Sequence, residues 1–237
     1  MKPVIRDNRE LLVDVRKFLP GARIFLDRER MERERTAYLR EGVARRLRAA
    51  QKLLPPGVNF VIRDAWRPAY VQCSIYYDFL AKATARFPGL SPSERLKRIN
   101  VMVAPWRGPD ASGHMTGGAM DIRLLGADGR RLPMVSYALS YTDNARSDQT
   151  NLPLAVRKNR ALLREVMSAV GFSNHPGEYW HWSYGDWHWA KREGRHLAIY
   201  GIVPSKKGLY AGAPCPCGAR DSAGHRGAPF EKCHGRH

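Results

Sequence analysis

The most informative stretch of the chain is SGHMTGGAMDIRLL, residues 112–125. Its second half, AMDIRLL (119–125), is rich in apolar side chains and predicts a strand, with a turn after it at GADGR (126–130). Its first half contains little that could pack in a core. His114 and Asp121 nevertheless lie there, seven positions apart. Because imidazole and carboxylate groups are zinc ligands, this pair suggests a metal site whose other ligands lie elsewhere in the chain.

Helices and strands are mixed on both sides of this strand. Apolar periodicity predicts a helix at residues 30–54, and helices are also predicted at 69–86 after Pro68, at 91–99, and at 153–170 between Pro153 and Gly171. Aromatic or β-branched runs predict strands at 58–66, 178–184 and 186–190. The SPSE run at 91–94 is a capping box. Since no regular βαβ alternation is present, the sequence predicts an α+β fold, with a small mixed or antiparallel sheet packed against helices.

The composition is that of an ordinary globular protein apart from its charge, which is +18 over 237 residues. A basic chain can bind nucleic acid or another anionic partner. Here the Arg side chains are dispersed among Asp and Glu, which favours solvated helix faces instead. No apolar run has the length of a signal-peptide core or a membrane span, so we expect a cytoplasmic protein.

The last part of the chain differs in composition from the rest. Residues 205–237 are dense in Gly, Pro, Lys, Arg, Cys and His and contain few apolar side chains. Such a segment cannot form a core by itself. We therefore predict a boundary near Pro204, with a main domain over residues 1–204 and a short metal-bound tail over 205–237.

A third ligand for the metal site is suggested by EYWH (178–181). His181 supplies an imidazole, and Glu178 supplies a carboxylate that can act as a general base. His175 and His188 are rival ligands. Positions three apart on a regular strand face opposite ways, so this interpretation requires a bend near the start of the strand.

Three motifs of the sequence resemble those of a known family. In chain order they are RDAWRP (63–68), SGHMTGGAMD (112–121) and EYWH (178–181). They are similar to the motifs of the D-alanyl-D-alanine dipeptidases, the VanX-type branch of the M15 metallopeptidases. The resemblance covers most of residues 38–190. It implies the M15 peptidase fold and zinc-dependent hydrolysis of a D,D-dipeptide such as D-Ala-D-Ala.

The resemblance also implies a role for each matching residue. His114, Asp121 and His181 would bind the catalytic zinc. Glu178 would be the general acid/base, and Arg67 would stabilise the oxyanion of the tetrahedral intermediate.

Substrate contacts are implied at Ser112 and at Asp143, the latter preferred over Asp148 for binding the substrate's amino group. The family's long N-terminal segment has no clear counterpart in residues 1–35. An alternative function is therefore a D,D- or L,D-carboxypeptidase that acts on longer peptidoglycan peptides.

The tail suggests a second, structural zinc site. Its CPCG (215–218) and FEKCHG (230–235) runs resemble the SEC-C zinc knuckle, with a longer loop between them that contains His225 as a possible competitor. The ligands implied are Cys215, Cys217, Cys233 and His234.

Basic residues surround these ligands, namely Lys206, Lys207, Arg220, Arg226 and Lys232. An acidic protein or nucleic-acid partner is therefore a hypothesis for the tail. It leads to a second alternative function, a non-catalytic basic adaptor that binds its partner through the zinc knuckle. We expect one catalytic and one structural zinc ion per chain.

Overall fold

The computed structural model describes residues 2–24, 37–204, 213, 215–218 and 228–233. The chain divides into two compact units, which are residues 1–66 with 116–201 and residues 67–115 with 202–237. The domain boundary near Pro204 stays a prediction.

All strands of the described residues belong to the first unit. They are β1 (Val4–Ile5), β2 (Leu12–Asp14), β3 (Arg23–Ile24), β4 (Tyr38–Arg40), β5 (Asn59–Asp64), β6 (Ala119–Leu125), β7 (Ser173–His175), β8 (Glu178–Ser183) and β9 (Leu197–Ala198). Five of them form one sheet in the order β3-β5-β6-β8-β7, in which β3 and β5 are parallel and the other neighbours antiparallel. This mixed sheet, with its helices, confirms the predicted α+β fold.

The helices are distributed over both units. They are α1 (Glu41–Lys52), α2 (Ala69–Arg86), α3 (Pro92–Met102), α4 (Tyr141–Ala145), α5 (Leu154–Ala169), α6 (Trp187–Arg192) and α7 (Phe230–Cys233). The second unit contains α2, α3 and α7. Within the described part of the chain, none of these helices combines the length and the apolar composition needed to cross a membrane.

The core of the first unit lies between its helices and one face of the sheet. Leu47 of α1 and Leu163 of α5 belong to one buried cluster with Ile62 of β5 and Ile122 of β6. Burying each such side chain contributes about 1.5–3 kcal/mol. Because side chains alternate along a strand, the inward position of Ile122 leaves its neighbour Asp121 on the opposite face of β6.

A buried cation holds the segment that enters β6. The Arg40 guanidinium donates from Nε to the carbonyl of Thr116 (2.8 Å) and from Nη1 to the carbonyl of Glu10 (2.5 Å). The next residue, Gly117, has a φ of +70°, and a Cβ there would lie 2.5 Å from a methyl carbon of Leu12. Only glycine fits both constraints without strain, which explains one glycine of the opening motif.

The second unit is built on α2 and α3. The capping box predicted for α3 is present, with Ser91 and Glu94 each accepting a hydrogen bond from the other's backbone N–H. The described tail residues pack in the same apolar cluster as α2, where the Phe230 ring meets the Tyr70 ring edge-on at 5.2 Å between centroids.

Two secondary-structure predictions were wrong. The helix predicted from residue 30 begins at Glu41, because residues 38–40 pair with β2 as a strand; residues 30–36 lie outside the described residues. The segment 186–190, predicted as a strand, belongs to α6. Asp186 caps this helix by accepting a hydrogen bond from the Trp189 amide at 2.7 Å, which stabilises the first turn against an extended conformation.

Candidate active site

Asp121 and His181 lie opposite each other on β6 and β8, whose antiparallel pairing places the two residues in register. The Oδ1 atom of Asp121 lies 3.1 Å from the Nδ1 atom of His181. Their side chains are 20% and 12% exposed, so both are partly shielded from water. A carboxylate and an imidazole at this distance are suited to bind one cation together.

The Glu178 side chain lies close to that of His181, because β8 is irregular at its start. The register between β7 and β8 shifts between Asn174 and His175, and His175 pairs with Glu178. The Oε2 atom of Glu178 consequently lies 3.8 Å from Nδ1 of His181. The bend that the spacing in EYWH required is present.

The side chain of Asn174 holds this bend. Its Nδ2 group donates to the carbonyl oxygens of Glu178 (3.1 Å), Tyr179 (3.3 Å) and His181 (2.9 Å). One amide therefore contacts the backbone at both ends of the EYWH run. The sequence carries no signal that distinguishes Asn174 from an ordinary turn residue, because its partners are defined only by the β7–β8 pairing.

His114 lies in the 3₁₀ turn Gly113–Thr116 and is buried, with 3% of its surface exposed. One ligand atom from each of His114, Asp121 and His181 lies within 4.8 Å of the other two. Two imidazole nitrogens and one carboxylate oxygen form the type of ligand set that catalytic zinc sites use. The described residues thus bring the three predicted ligands together.

The two rival histidines do not belong to this ligand group. The His175 ring lies next to the His181 ring, with 5.7 Å between centroids, and its Nδ1 accepts the Gly177 amide N–H at 3.1 Å. Burial, followed by the electrostatic influence of His181, lowers the pKa of His175 to about 4. A neutral His175 therefore packs beside the group, while His188 lies on α6.

Arg67 and Ser112 are held near His114 along the chain of the second unit. The Arg67 amide donates to the carbonyl of His114 at 3.1 Å, and the Arg67 guanidinium donates to the side-chain oxygen of Gln72. Ser112 is buried, and its amide donates to the Pro105 carbonyl at 2.9 Å. The backbone at both positions is therefore fixed.

The acidic candidates for substrate binding lie on the surface. Asp143 is exposed at the start of α4, where its carboxylate accepts a hydrogen bond from the Ser140 hydroxyl at 2.6 Å. Asp148 forms an exposed ion pair with Arg146 at 2.6 Å. A role for Asp143 in substrate binding stays a prediction.

The cysteines of the tail form the second ligand group. The ligand atoms of Cys215, Cys217 and Cys233 lie within 4.8 Å of one another, with 3.3 Å from Cys217 Sγ to Cys215 Sγ and 3.6 Å to Cys233 Sγ. Two thiolates on a tetrahedral zinc ion are about 3.8 Å apart, so the spacing fits. The predicted ligand His234 and its competitor His225 lie outside the described residues.

An α+β fold that brings two histidines, an aspartate and a neighbouring glutamate together is suited to a hydrolase of the metallopeptidase class. The family model for peptidase M15, described as D-ala-D-ala dipeptidase, matches residues 10–198. A D-alanyl-D-alanine dipeptidase from Synechocystis sp. is 31% identical, and the match covers 70% of this chain and 78% of that protein. The chain belongs to the M15 peptidase family and is therefore a hydrolase.

Two solved structures are more distantly similar. VanYB in complex with D-alanine-D-alanine has 16% identity and a TM-score of 0.42, with 68% of this chain and 81% of that chain covered. A variant of the vancomycin-resistance D,D-pentapeptidase VanY in complex with Zn(II) has 18% identity and a TM-score of 0.40, with 68% and 82% covered.

Proposed function

We propose that this chain is a zinc-dependent peptidase that hydrolyses a D,D-dipeptide such as D-Ala-D-Ala in the cytoplasm. The observation that carries the proposal is the grouping of His114, Asp121 and His181, with Glu178 beside His181. Membership of the M15 family supports peptide hydrolysis. The name of the Synechocystis relative supports the choice of D-Ala-D-Ala as substrate.

The residues present fit a zinc ion. His114, Asp121 and His181 would hold it through two nitrogens and one oxygen. The 3.1 Å between the Asp121 and His181 atoms is close to the ~3.3 Å that separates two such ligand atoms on a tetrahedral zinc. A bound zinc ion supplies Lewis acidity, which polarises a carbonyl group and lowers the pKa of a water molecule.

Glu178 is the proposed general acid/base. Its side chain is 37% exposed, so water and substrate can reach the carboxylate. Glu178 accepts a proton from the attacking water and then gives a proton to the amine nitrogen of the leaving D-amino acid. Asn174 supports this role, because its hydrogen bonds hold the backbone of Glu178 and His181 in one conformation.

Arg67 is proposed to stabilise the oxyanion that forms on the scissile carbonyl. A guanidinium is always charged and presents fixed donors, and one such donor contributes about 3–4 kcal/mol to transition-state stabilisation. Ser112 and Asp143 are proposed substrate contacts. The exposed Asp143 carboxylate would bind the amino group of the dipeptide.

The tail is proposed to be a SEC-C-like zinc knuckle. Cys215, Cys217 and Cys233 would hold a structural zinc ion, and His234 is the fourth ligand that the sequence motif suggests. A structural zinc ion supplies folding free energy that this apolar-poor segment otherwise lacks.

The decisive experiment compares the zinc-loaded wild type with Glu178→Ala on D,D-, L,D- and L,L-dipeptides and on a longer peptide that ends in D-Ala-D-Ala. We expect the wild type to cleave D-Ala-D-Ala fastest and the variant to lose this activity. Cleavage of the longer peptide alone would identify a carboxypeptidase. No cleavage, with tight and salt-sensitive nucleic-acid binding, would support the adaptor function instead.

A further inference from the structure

Arg123 on β6 lies one residue pair along the sheet from the metal ligands. Asp121 and Arg123 are two positions apart on the strand, so their side chains share one face and their Cα atoms are about 6–7 Å apart. Asp121 pairs with His181, and the same antiparallel register sets Arg123 opposite Tyr179. The distance of 5.7 Å from the Arg123 Cζ atom to the centre of the Tyr179 ring agrees with this pairing.

Aromatic rings hold the Arg123 guanidinium without using its donors. Besides its contact with Tyr179, the Cζ atom lies 5.9 Å from the centre of the Trp180 ring. Such rings attract a cation electrostatically. The Nε atom of Arg123 is buried and has no hydrogen-bond partner among the described residues. Because buried polar atoms are nearly always hydrogen-bonded, this exception calls for a functional explanation.

The surroundings of Arg123 carry an excess of positive charge. Burial is the main cause that lowers the pKa of Arg123, and the charges of Arg63 and Arg131 act in the same direction. The Arg123 side chain is nevertheless partly exposed, so a ligand can reach the end of the guanidinium. An arginine held in this way, beside other cations and next to a catalytic site, is suited to bind an anionic group.

Arg160 shows how a structural arginine differs from Arg123. Its Cζ atom lies 3.8 Å from the centre of the same Tyr179 ring. Its Nε, Nη1 and Nη2 atoms all donate to backbone carbonyls, which fixes the guanidinium and leaves it to the fold. Arg123 is therefore the arginine at this ring that is suited to bind a ligand.

We propose that Arg123 binds a carboxylate of the peptide substrate and thereby selects peptides that carry one near the scissile bond. This inference rests on the proposed peptidase function, for which it names a specificity residue. A guanidinium can donate two parallel hydrogen bonds to a carboxylate. In a dipeptide the terminal carboxylate carbon lies about 3–4 Å from the scissile carbonyl carbon. A dipeptide held at Asp121 and His181 can therefore extend its carboxylate to Arg123.

The test measures kcat/KM of the zinc-loaded protein for D-Ala-D-Ala and for its C-terminal amide, in the wild type and in Arg123→Met. The amide has nearly the same size as the substrate but lacks the negative charge. We expect the wild type to prefer the free carboxylate by about 10²-fold or more, and Arg123→Met to reduce this preference to near unity. The loss should affect KM more than kcat, because the carboxylate is bound equally in the ground state and the transition state.

A second substrate pair, D-Ala-D-Glu and D-Ala-D-Gln, distinguishes a terminal carboxylate from that of an acidic side chain. Arg123→Met should lose the preference for acid over amide at the terminus in the first case and at the side chain in the second. Arg130→Met, in the exposed turn after β6, is the matched control and should keep both preferences. If Arg123→Met also keeps both preferences, the proposal is overturned.

Arg123→Lys decides if the methionine variant does not fold, since it retains the positive charge. Lysine lacks the planar pair of donors, so the preference for the carboxylate should fall about tenfold. A full wild-type preference in Arg123→Lys would then contradict the proposal.

Failure of the proposed function has a different signature, because the wild type then cleaves none of these peptides. Calorimetric titration tests the subsite without turnover. It compares the affinities of D-Ala-D-Ala and its amide for the zinc-loaded wild type and for Arg123→Met. A preference for the carboxylate that disappears in the variant supports the subsite, and equal preferences in the two proteins overturn it.

Discussion

Asp121 and His181 are paired across two antiparallel strands, with 3.1 Å between the Oδ1 and Nδ1 atoms. The side-chain period of a strand is two, so a register slip of one residue would turn one of the two side chains to the opposite face. The pairing of β6 with β8 therefore determines both the core and the ligand group. A metal bound by this pair would in turn stabilise the native register.

Replacing Asp121 with Asn should remove the catalytic metal. The amide is a neutral and weaker ligand than the carboxylate, so we expect zinc per chain to fall from about two to about one. Elemental analysis of the purified protein measures this. Asp128→Asn, in the exposed turn after β6, is the matched control and should keep the wild-type zinc content. Unchanged zinc in Asp121→Asn would show that this carboxylate is not a ligand.

Glu178→Gln should abolish proton transfer but leave the metal bound. General acid–base catalysis contributes about 10²–10⁴-fold, so kcat for D-Ala-D-Ala should fall by about that factor. Steady-state kinetics together with zinc analysis separate the two effects. Glu165→Gln, on the exposed side of α5, should retain wild-type kinetics. A loss of zinc in Glu178→Gln would instead make Glu178 a metal ligand.

Asn174→Ala should impair catalysis by misplacing its neighbours. The substitution removes the donors to the carbonyls of Glu178, Tyr179 and His181. We expect kcat to fall about tenfold or more with little change in KM, since a small displacement of a catalytic group has a large effect on rate. Asn151→Ala, at an exposed position, is the control. A change confined to thermal stability, with kcat intact, would limit Asn174 to a structural role.

Arg160→Met should destabilise the first unit. The buried Arg160 guanidinium donates to the carbonyls of Met134 (2.7 and 2.8 Å), Asn144 (2.7 Å) and Arg146 (3.1 Å). Methionine would leave these acceptors unpaired, at a cost of about 3 kcal/mol or more in the free energy of unfolding. Urea denaturation measures this cost. Arg157→Met, exposed on α5, should change it by less than about 0.5 kcal/mol.

Local patterns in the sequence were sufficient for many of the elements. The helix at 69–86, predicted after Pro68, and the strand at 119–125, predicted before the turn that begins at Gly126, have the predicted bounds. The segment 186–190 was misassigned because its aromatic residues are compatible with either conformation. The hydrogen bond that Asp186 accepts from the Trp189 amide stabilises the helical conformation of this segment. The grouping of His114, Asp121 and His181 was expected from the family resemblance, since composition and spacing left several histidines equivalent.

The sequence by itself determined which ligand types are present, in what order, and on which kinds of element. Only the tertiary structure decided which of them meet. Asn174 acquires its role from the β7–β8 pairing, and Arg123 comes to lie beside Tyr179 through the pairing of β6 with β8. The physical reason is that strand register and helix packing depend on contacts between residues distant in the chain, which local periodicity does not record.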